Sequence, residues 1–228
     1  MDFKIATNLA EQVAQFIEEK IIRLEMGPGE RIFETAIADD LGVSRSPVRE
    51  ALLILEKKNL VELIPRKGAS VTSITTAFID HHFDILFSLL GLVANKCIEN
   101  GSEKDFLTIN EAACDAVRCA DTNDPSGYYE AVIRFLLSCI KATKNDLLEQ
   151  LITNLLPNVK RFLFSSFAIM AQDLKKNAQI VVKGNNYIQE KNKKMAEETI
   201  YEYLNNEKRM SLENPLFQNY FLKKSGSN

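Results

Sequence analysis

Four polar side chains near residue 45 have the types and spacing that read duplex DNA. They are Ser44, Arg45, Ser46 and Arg49, and they fall off a stripe of apolar residues at helical spacing, namely Val48, Ala51, Leu52 and Leu55. An arginine can form two parallel hydrogen bonds with a guanine edge, and serine hydroxyls at a helix start suit phosphate oxygens. The pattern predicts a helix that buries one face and offers its N-terminal end to DNA.

A second cationic group follows at Arg66, Lys67 and Gly68. It lies in the turn between two short β-like segments, Leu60–Ile64 and Ala69–Thr72, so the pair is predicted to form a hairpin. Such a tip suits the DNA backbone or the minor groove, and a glycine allows close approach.

Three predicted helices position these groups. The first spans 8–24 and is expected to end at Gly27-Pro28-Gly29, because two glycines and a proline do not continue a helix. A short helix over 34–41 and a turn at Gly42 lead to the third helix, which reaches Lys58. Asn59 follows it at the position where a left-handed helix end favours glycine or asparagine. Helix, tight turn and second helix is the arrangement that places a helix in the major groove.

The rest of the chain has long helical patterns without strand signals. Six helices are predicted near 77–100, 103–120, 125–143, 145–173, 177–190 and 192–206. The predicted fold class is therefore mostly α, with a winged helix-turn-helix of three helices plus a β-hairpin wing over 1–74. An all-α bundle of about six helices over 75–207 and a C-terminal arm over 208–228 complete the chain.

Charge and composition restrict the possible functions. The net charge is −3, and residues 1–74 carry ten Lys/Arg against twelve Asp/Glu, so DNA binding must depend on local cations. The longest nearly apolar run, 85–94, is about half of a membrane span, and the start lacks a secretory signal. We expect a cytoplasmic protein without membrane contact.

The sequence also lacks motifs of the common enzyme classes. The two histidines are adjacent, and no nucleotide-binding glycine loop or zinc-protease motif is present, so we expect no enzyme.

The N-terminal motifs resemble the winged-helix signature of the GntR superfamily. The resemblance lies in Gly27–Glu34, in Leu41–Leu52 and in the wing-like Arg66–Val71. The helical remainder is similar to the FCD effector domain of the FadR subfamily. The resemblance implies a transcriptional regulator, with DNA contacts at Ser44, Arg45, Ser46, Arg49, Arg66, Lys67 and Gly68. A further contact position, often arginine in relatives, is occupied here by Thr35, which puts base contacts from that position in doubt.

The resemblance also implies where an effector would bind. Many such domains hold a divalent metal with one aspartate and three histidines, and these positions correspond here to Val132, Leu136, Val181 and Tyr203. These four residues do not form a competent ligand set for such a cation, so we expect neither a metal nor a cofactor. His81 and His82 are adjacent, point about 100° apart on a helix and are expected at the surface or an interface.

The interior of the effector domain is expected to be apolar. Phe87 lies near the position where relatives place an arginine, and Phe135 lies beside Leu136. Two hypotheses remain open: an apolar or acyl-type effector bound among these residues, or a filled core without a ligand.

The predicted partners are double-stranded DNA, a second copy of the chain and, under the first hypothesis, a small molecule. A two-fold pair reads a palindromic site with half-sites about one helical turn apart. The alternatives are a ligand-independent DNA-binding dimer or a protein-interaction adaptor with a vestigial effector domain.

Overall fold

The computed structural model describes residues 9–64, 68–169 and 174–213, with the backbone alone over 166–169. The chain divides into two compact units. The described part of the first unit contains the residues up to Ile74 together with Asn154–Arg161, and the second begins at Thr75. No pattern in the sequence predicted that 154–161 would join the first unit.

The described residues of the first unit up to Ile74 form three helices and three strands. The helices are α1 (Leu9–Ile22), α2 (Glu34–Leu41) and α3 (Arg45–Lys57), and the strands are β1 (Arg31–Ile32), β2 (Val61–Ile64) and β3 (Gly68–Val71). The predicted hairpin is β2 and β3, which pair antiparallel with Val61 opposite Val71 and Ile64 opposite Gly68. β1 pairs with the other edge of β3, so the sheet order is β1-β3-β2. No sequence pattern predicted β1.

α1 ends earlier than predicted. Leu24 adopts a left-handed conformation with φ 63°, and Glu25 N donates to Lys20 O at 2.9 Å. This is the bond pattern that closes a helix end, and it comes before the Gly27-Pro28-Gly29 stop. The buried face of α1 carries Val13 and Ile17, which pack in one core with α3 and the sheet.

The second unit is helical in the part that the structure describes. Its elements are α4 (Thr76–Asn100), α5 (Glu103–Asp121), α6 (Pro125–Ala142), α7 (Asp146–Ile169, shared with the first unit), α8 (Leu174–Gln189) and α9 (Lys193–Glu213). Each begins within three residues of its predicted start. α4 is long and apolar enough to cross a bilayer by length and composition alone, but ten of its residues are buried in the protein, as in a core helix.

α9 extends beyond its predicted end. It continues to Glu213 rather than stopping at 206, because Glu207, Met210 and Ser211 are buried and continue its inner face. The predicted arm therefore begins inside a helix, and its remainder, 214–228, lies outside the described residues. α7 continues through Pro157, as predicted.

Candidate nucleic-acid interface

The turn between α2 and α3 has the geometry that the sequence predicted. Gly42 adopts φ 64°, and Val43 N donates to Ala38 O at 3.0 Å, which closes the end of α2. A Cβ on Gly42 would meet no atom within 4 Å. The left-handed backbone is therefore what favours glycine here. At the far end of α3, Asn59 also adopts the predicted left-handed conformation, with φ 55°.

α3 has a buried apolar face and an exposed polar N-terminal end. Val48, Ala51, Leu52 and Leu55 are buried, whereas the predicted DNA contacts at its start, Ser44, Arg45, Ser46 and Arg49, are all exposed. Ser44 is the N-cap residue of α3, but its side chain makes no capping bond. The structure thus gathers two arginines and two hydroxyl groups at one exposed helix end, where backbone N–H groups favour anions.

Arg49 has a partner that the sequence analysis missed. Its Nε donates to Oε2 of Glu34, the first residue of α2, at 2.7 Å. The two side chains are 64% and 26% exposed, and an exposed ion pair of this kind contributes about 0.2–1 kcal/mol. Arg49 is therefore held in place at the surface by a weak interaction that a phosphate or a guanine can replace.

Two of the other predicted contacts, Thr35 and Gly68, are also exposed. Thr35 is exposed in the first turn of α2, directly after Glu34. Gly68 is exposed at the start of β3 with φ 92°, and a Cβ there would meet no atom within 4 Å. Backbone conformation is therefore what favours glycine at this position. Arg66 and Lys67 lie outside the described residues.

The candidate effector residues lie on α6, α8 and α9, with Phe87 on α4. Val132 and Val181 are buried, and Phe135 and Leu136 are half-buried. Contacts between Asn177 and Glu207 and between Gly184 and Thr199 define an antiparallel register of α8 and α9. That register places Val181 level with Tyr203.

The interior beside these residues is not purely apolar, which corrects the sequence-based expectation. Burial, followed by the charge of Glu207, raises the pKa of the Tyr203 hydroxyl well above its ordinary value. Asn177 Nδ2 donates to Glu207 Oε1 at 3.1 Å, and Asn206 Nδ2 donates to Asn177 Oδ1 at 2.8 Å. The sequence carries a signal for this cluster, because polar residues recur every four positions on the inner face of α9: Thr199, Tyr203, Glu207 and Ser211.

Phe87 lies against a different face of α9. Its ring packs edge-on against Tyr201 with 5.7 Å between centroids, and the Tyr201 hydroxyl donates to Glu197 Oε1 at 2.6 Å. Because residues two apart on a helix point about 200° apart, Tyr201 and Tyr203 face opposite directions. The structure therefore does not group Phe87 with Tyr203.

Both histidines were expected at the surface or an interface, but His82 is buried inside the protein. His81 is exposed, but His82 is only 5% exposed and packs between the rings of Phe78 and Phe162, with centroid distances of 5.7 and 5.3 Å. Burial lowers the pKa of His82 to about 4. Within the described residues, no group of three or more His, Cys, Asp or Glu side chains is placed to hold a metal ion.

Comparisons with known proteins match both units. Residues 9–71 match the profile described as bacterial regulatory proteins, gntR family, and residues 81–206 match the FCD domain. The chain is 38% identical to the HTH-type transcriptional regulator YdhC of Bacillus subtilis over 112 residues, which is 48% of this chain and 50% of YdhC. It is 27% identical to the gluconate operon transcriptional repressor of the same organism over 165 residues, 71% of this chain and 66% of that repressor.

A solved structure shows the same fold. The Escherichia coli protein McbR/YncC superposes with a TM-score of 0.79 at 19% sequence identity, covering 94% of this chain and all of that one. At that identity the likeness concerns the fold alone. The chain spans half the length of YdhC, so the shared sequence is concentrated in part of that relative.

Proposed function

Because the chain belongs to the GntR family of bacterial regulatory proteins and carries an FCD domain, we propose that it is a sequence-specific DNA-binding regulator of transcription. It acts in the cytoplasm as a homodimer on a palindromic operator and performs no enzymatic reaction. Its helical unit is of the FadR type and adjusts DNA affinity in response to a small molecule.

One observation carries the proposal for DNA binding. The start of α3 presents Ser44, Arg45, Ser46 and Arg49 to solvent, while the other face of the helix is buried in the core of the first unit. An ordinary surface helix needs no such concentration of arginine and hydroxyl groups at its N-terminus. A helix that enters the major groove needs these groups to contact base edges and phosphates.

Dimerisation and repression rest on physical argument and on a relative. One α3 reads only a few base pairs, and two copies related by a two-fold axis read two half-sites about one turn apart. The relative named as the gluconate operon repressor aligns over most of this chain. Repression is accordingly the expected outcome of operator binding.

The effector would lie between α6, α8 and α9, without a metal. Val132, Leu136 and Val181 offer apolar surface for the acyl-type body that the sequence analysis proposed, with Phe135 beside them. The Tyr203 hydroxyl and Asn177 could bind a polar head group. Since the neighbouring charge is the Glu207 carboxylate, an uncharged head such as an ester or an alcohol suits the site better than a carboxylate. Coupling of roughly 1–3 kcal/mol would connect effector and DNA binding.

Operator selection tests the DNA-binding function directly. The full chain is incubated with randomised duplexes, the bound sequences are enriched, and the affinity for the winner is measured by fluorescence anisotropy at fixed salt. We expect a palindromic consensus and a tight complex of two chains per duplex. Arg45→Ala should abolish the preference for the consensus, whereas Arg118→Ala, which removes an exposed arginine of α5, should not.

The same measurements separate the alternatives. Enrichment of no sequence at moderate salt would favour the protein-interaction adaptor. A ligand-independent dimer would bind its operator equally well with and without C8–C16 acyl esters, and those esters would not raise its thermal unfolding midpoint.

A further inference from the structure

Two buried polar side chains of the first unit have no part in the function proposed so far. Asn158 and Arg161 lie in the segment of α7 that belongs to this unit, and they are 2% and 0% exposed. Burying an asparagine and an arginine is costly unless their donors are satisfied. What these donors contact therefore indicates why they are there.

Asn158 contacts the C-terminal end of α3. Its Nδ2 donates to the backbone oxygen of Lys58 at 2.9 Å, and Lys58 is the C-cap residue of α3. The last carbonyls of a helix have no partner within the helix and carry its partial negative charge. The asparagine supplies one of the donors that this helix end lacks.

Arg161 contacts the base of the wing. Its two terminal nitrogens lie 3.2 Å from Thr72 O and 3.4 Å from Thr72 Oγ1, and Thr72 directly follows β3. The Thr72 hydroxyl in turn donates to Asn59 O at 2.9 Å, and Thr72 N donates to Leu60 O at 3.0 Å. Thr72 thus joins the exit of the wing to the residues that follow α3, and the guanidinium lies directly on this junction.

We propose that Asn158 and Arg161 are positioning residues for DNA recognition, which fix the end of α3 and the base of the β2–β3 wing relative to each other. The inference rests on the proposed function. α3 and the wing must contact one duplex together, so a change in the angle between them misplaces one set of contacts when the other is made. A bidentate contact tolerates little displacement, because hydrogen bonds weaken steeply as their geometry departs from linear. A segment about a hundred residues away in sequence thereby becomes part of the DNA-reading unit.

The test uses the full chain and the operator selected above. Asn158→Ala removes the bond to Lys58 O, and Thr72→Val removes the hydroxyl at the junction with little change of shape. Arg161→Met removes the guanidinium, while Arg161→Lys keeps the charge and one donor. Asn154→Ala is the matched control, since it removes an exposed asparagine one turn earlier on the same helix.

The decisive readout is the ratio of affinities for the operator and for an unrelated duplex, measured alongside the thermal unfolding midpoint. Substitution of a residue with a purely structural role changes the unfolding midpoint but leaves the ratio of operator to unrelated-duplex affinity of the folded protein unchanged. We expect the ratio to fall about 10-fold in Asn158→Ala and Arg161→Met, about the worth of one or two hydrogen bonds. It should fall less in Arg161→Lys and stay the same in Asn154→Ala.

Each outcome decides the inference. A lower ratio in folded Asn158→Ala or Thr72→Val supports it, even if Arg161→Met does not fold. An unchanged ratio in the folded variants overturns it and leaves the proposed function intact. If the wild-type chain itself prefers no DNA sequence, both the proposed function and this inference fail.

Discussion

The ion pair between Glu34 and Arg49 predicts that the Glu34 carboxylate competes with DNA for Arg49, which we propose as a DNA contact. In the free chain, Glu34 Oε2 accepts the bond from Arg49 Nε at 2.7 Å. In the proposed complex with DNA, Arg49 exchanges this carboxylate for a base edge or a phosphate. Glu34→Gln should therefore strengthen operator binding, although it removes an ion pair from the free protein.

The magnitudes follow from the exposure of the two groups. Because Arg49 is 64% exposed, the pair is worth about 0.2–1 kcal/mol, and releasing it should tighten binding by at most about 5-fold. Loss of the arginine contact should cost about 1–3 kcal/mol, which is roughly 5- to 150-fold in affinity. Arg49→Ala is therefore expected to weaken binding by more than Glu34→Gln strengthens it.

A double-mutant cycle separates competition for Arg49 from simple repulsion between Glu34 and phosphate. Operator affinity is measured by anisotropy at one salt concentration for the wild type, Glu34→Gln, Arg49→Ala and the double variant. Competition predicts that Glu34→Gln tightens binding only when Arg49 is present. Asp39→Asn, which neutralises another exposed acid of α2, is the control for general charge effects. An equal gain from Glu34→Gln in both backgrounds, or an unchanged affinity in Arg49→Ala, would refute this reasoning.

Three further predictions concern the wing, a buried histidine and a helix start. Lys67→Ala should weaken binding to all DNA sequences alike and lower the slope of log affinity against log salt by about one, as measured by salt titration. Burial lowers the pKa of His82 from 6.5 to about 4, so the unfolded chain binds the extra proton and stability falls as the pH drops from about 6.5 toward about 4. His82→Leu should reduce that loss in urea unfolding compared at neutral pH and at about pH 5. Lys191 adopts φ 57° before α9, so Lys191→Gly should stabilise the chain by about 1 kcal/mol. Lys194→Gly, in the first turn of α9, relieves no strained backbone and should not stabilise the chain, and thermal unfolding compares the two.

Local patterns predicted the structure of α3 well. The buried stripe of α3, the left-handed Gly42 and the left-handed Asn59 all follow from residues a few positions apart. The exposure of Arg45 and Arg49 follows from the same periodicity, since they fall off that stripe. Such features need only the helical repeat and the conformational preferences of glycine and asparagine.

Features that depend on distant pairing were missed. β1 has only two residues, so no alternation marks it, and it exists because β3 offers it an edge. The bond from Arg49 to Glu34 joins residues fifteen positions apart, and the bond from Asn158 to Lys58 joins residues a hundred apart. A sequence pattern carries no information about which polar groups meet across such distances.

In the second unit, the prediction of an apolar interior was incomplete. Phenylalanine and leucine dominate the segments around Phe87 and Phe135, and these residues led to the prediction of an apolar interior. The inner face of α9 instead repeats a polar residue at every fourth position from Thr199 to Ser211. A search for buried polar periodicity would have found this face and predicted that α9 continues past Glu207.

The acidic balance of the first 74 residues has a consequence for how the protein finds its operator. With ten cations against twelve acids, the first 74 residues carry no net positive charge to attract DNA, so the proposed binding must come from the few cations near α3 and in the predicted wing. Non-specific binding depends on phosphate neutralisation alone, so acids such as Glu34 weaken it in full. Operator binding gains base contacts that offset the same repulsion. Because this repulsion enters both binding free energies, the acidic surface lowers specific and non-specific affinity by the same factor. The ratio between the two affinities then depends on the base contacts that we propose for Arg45 and Arg49.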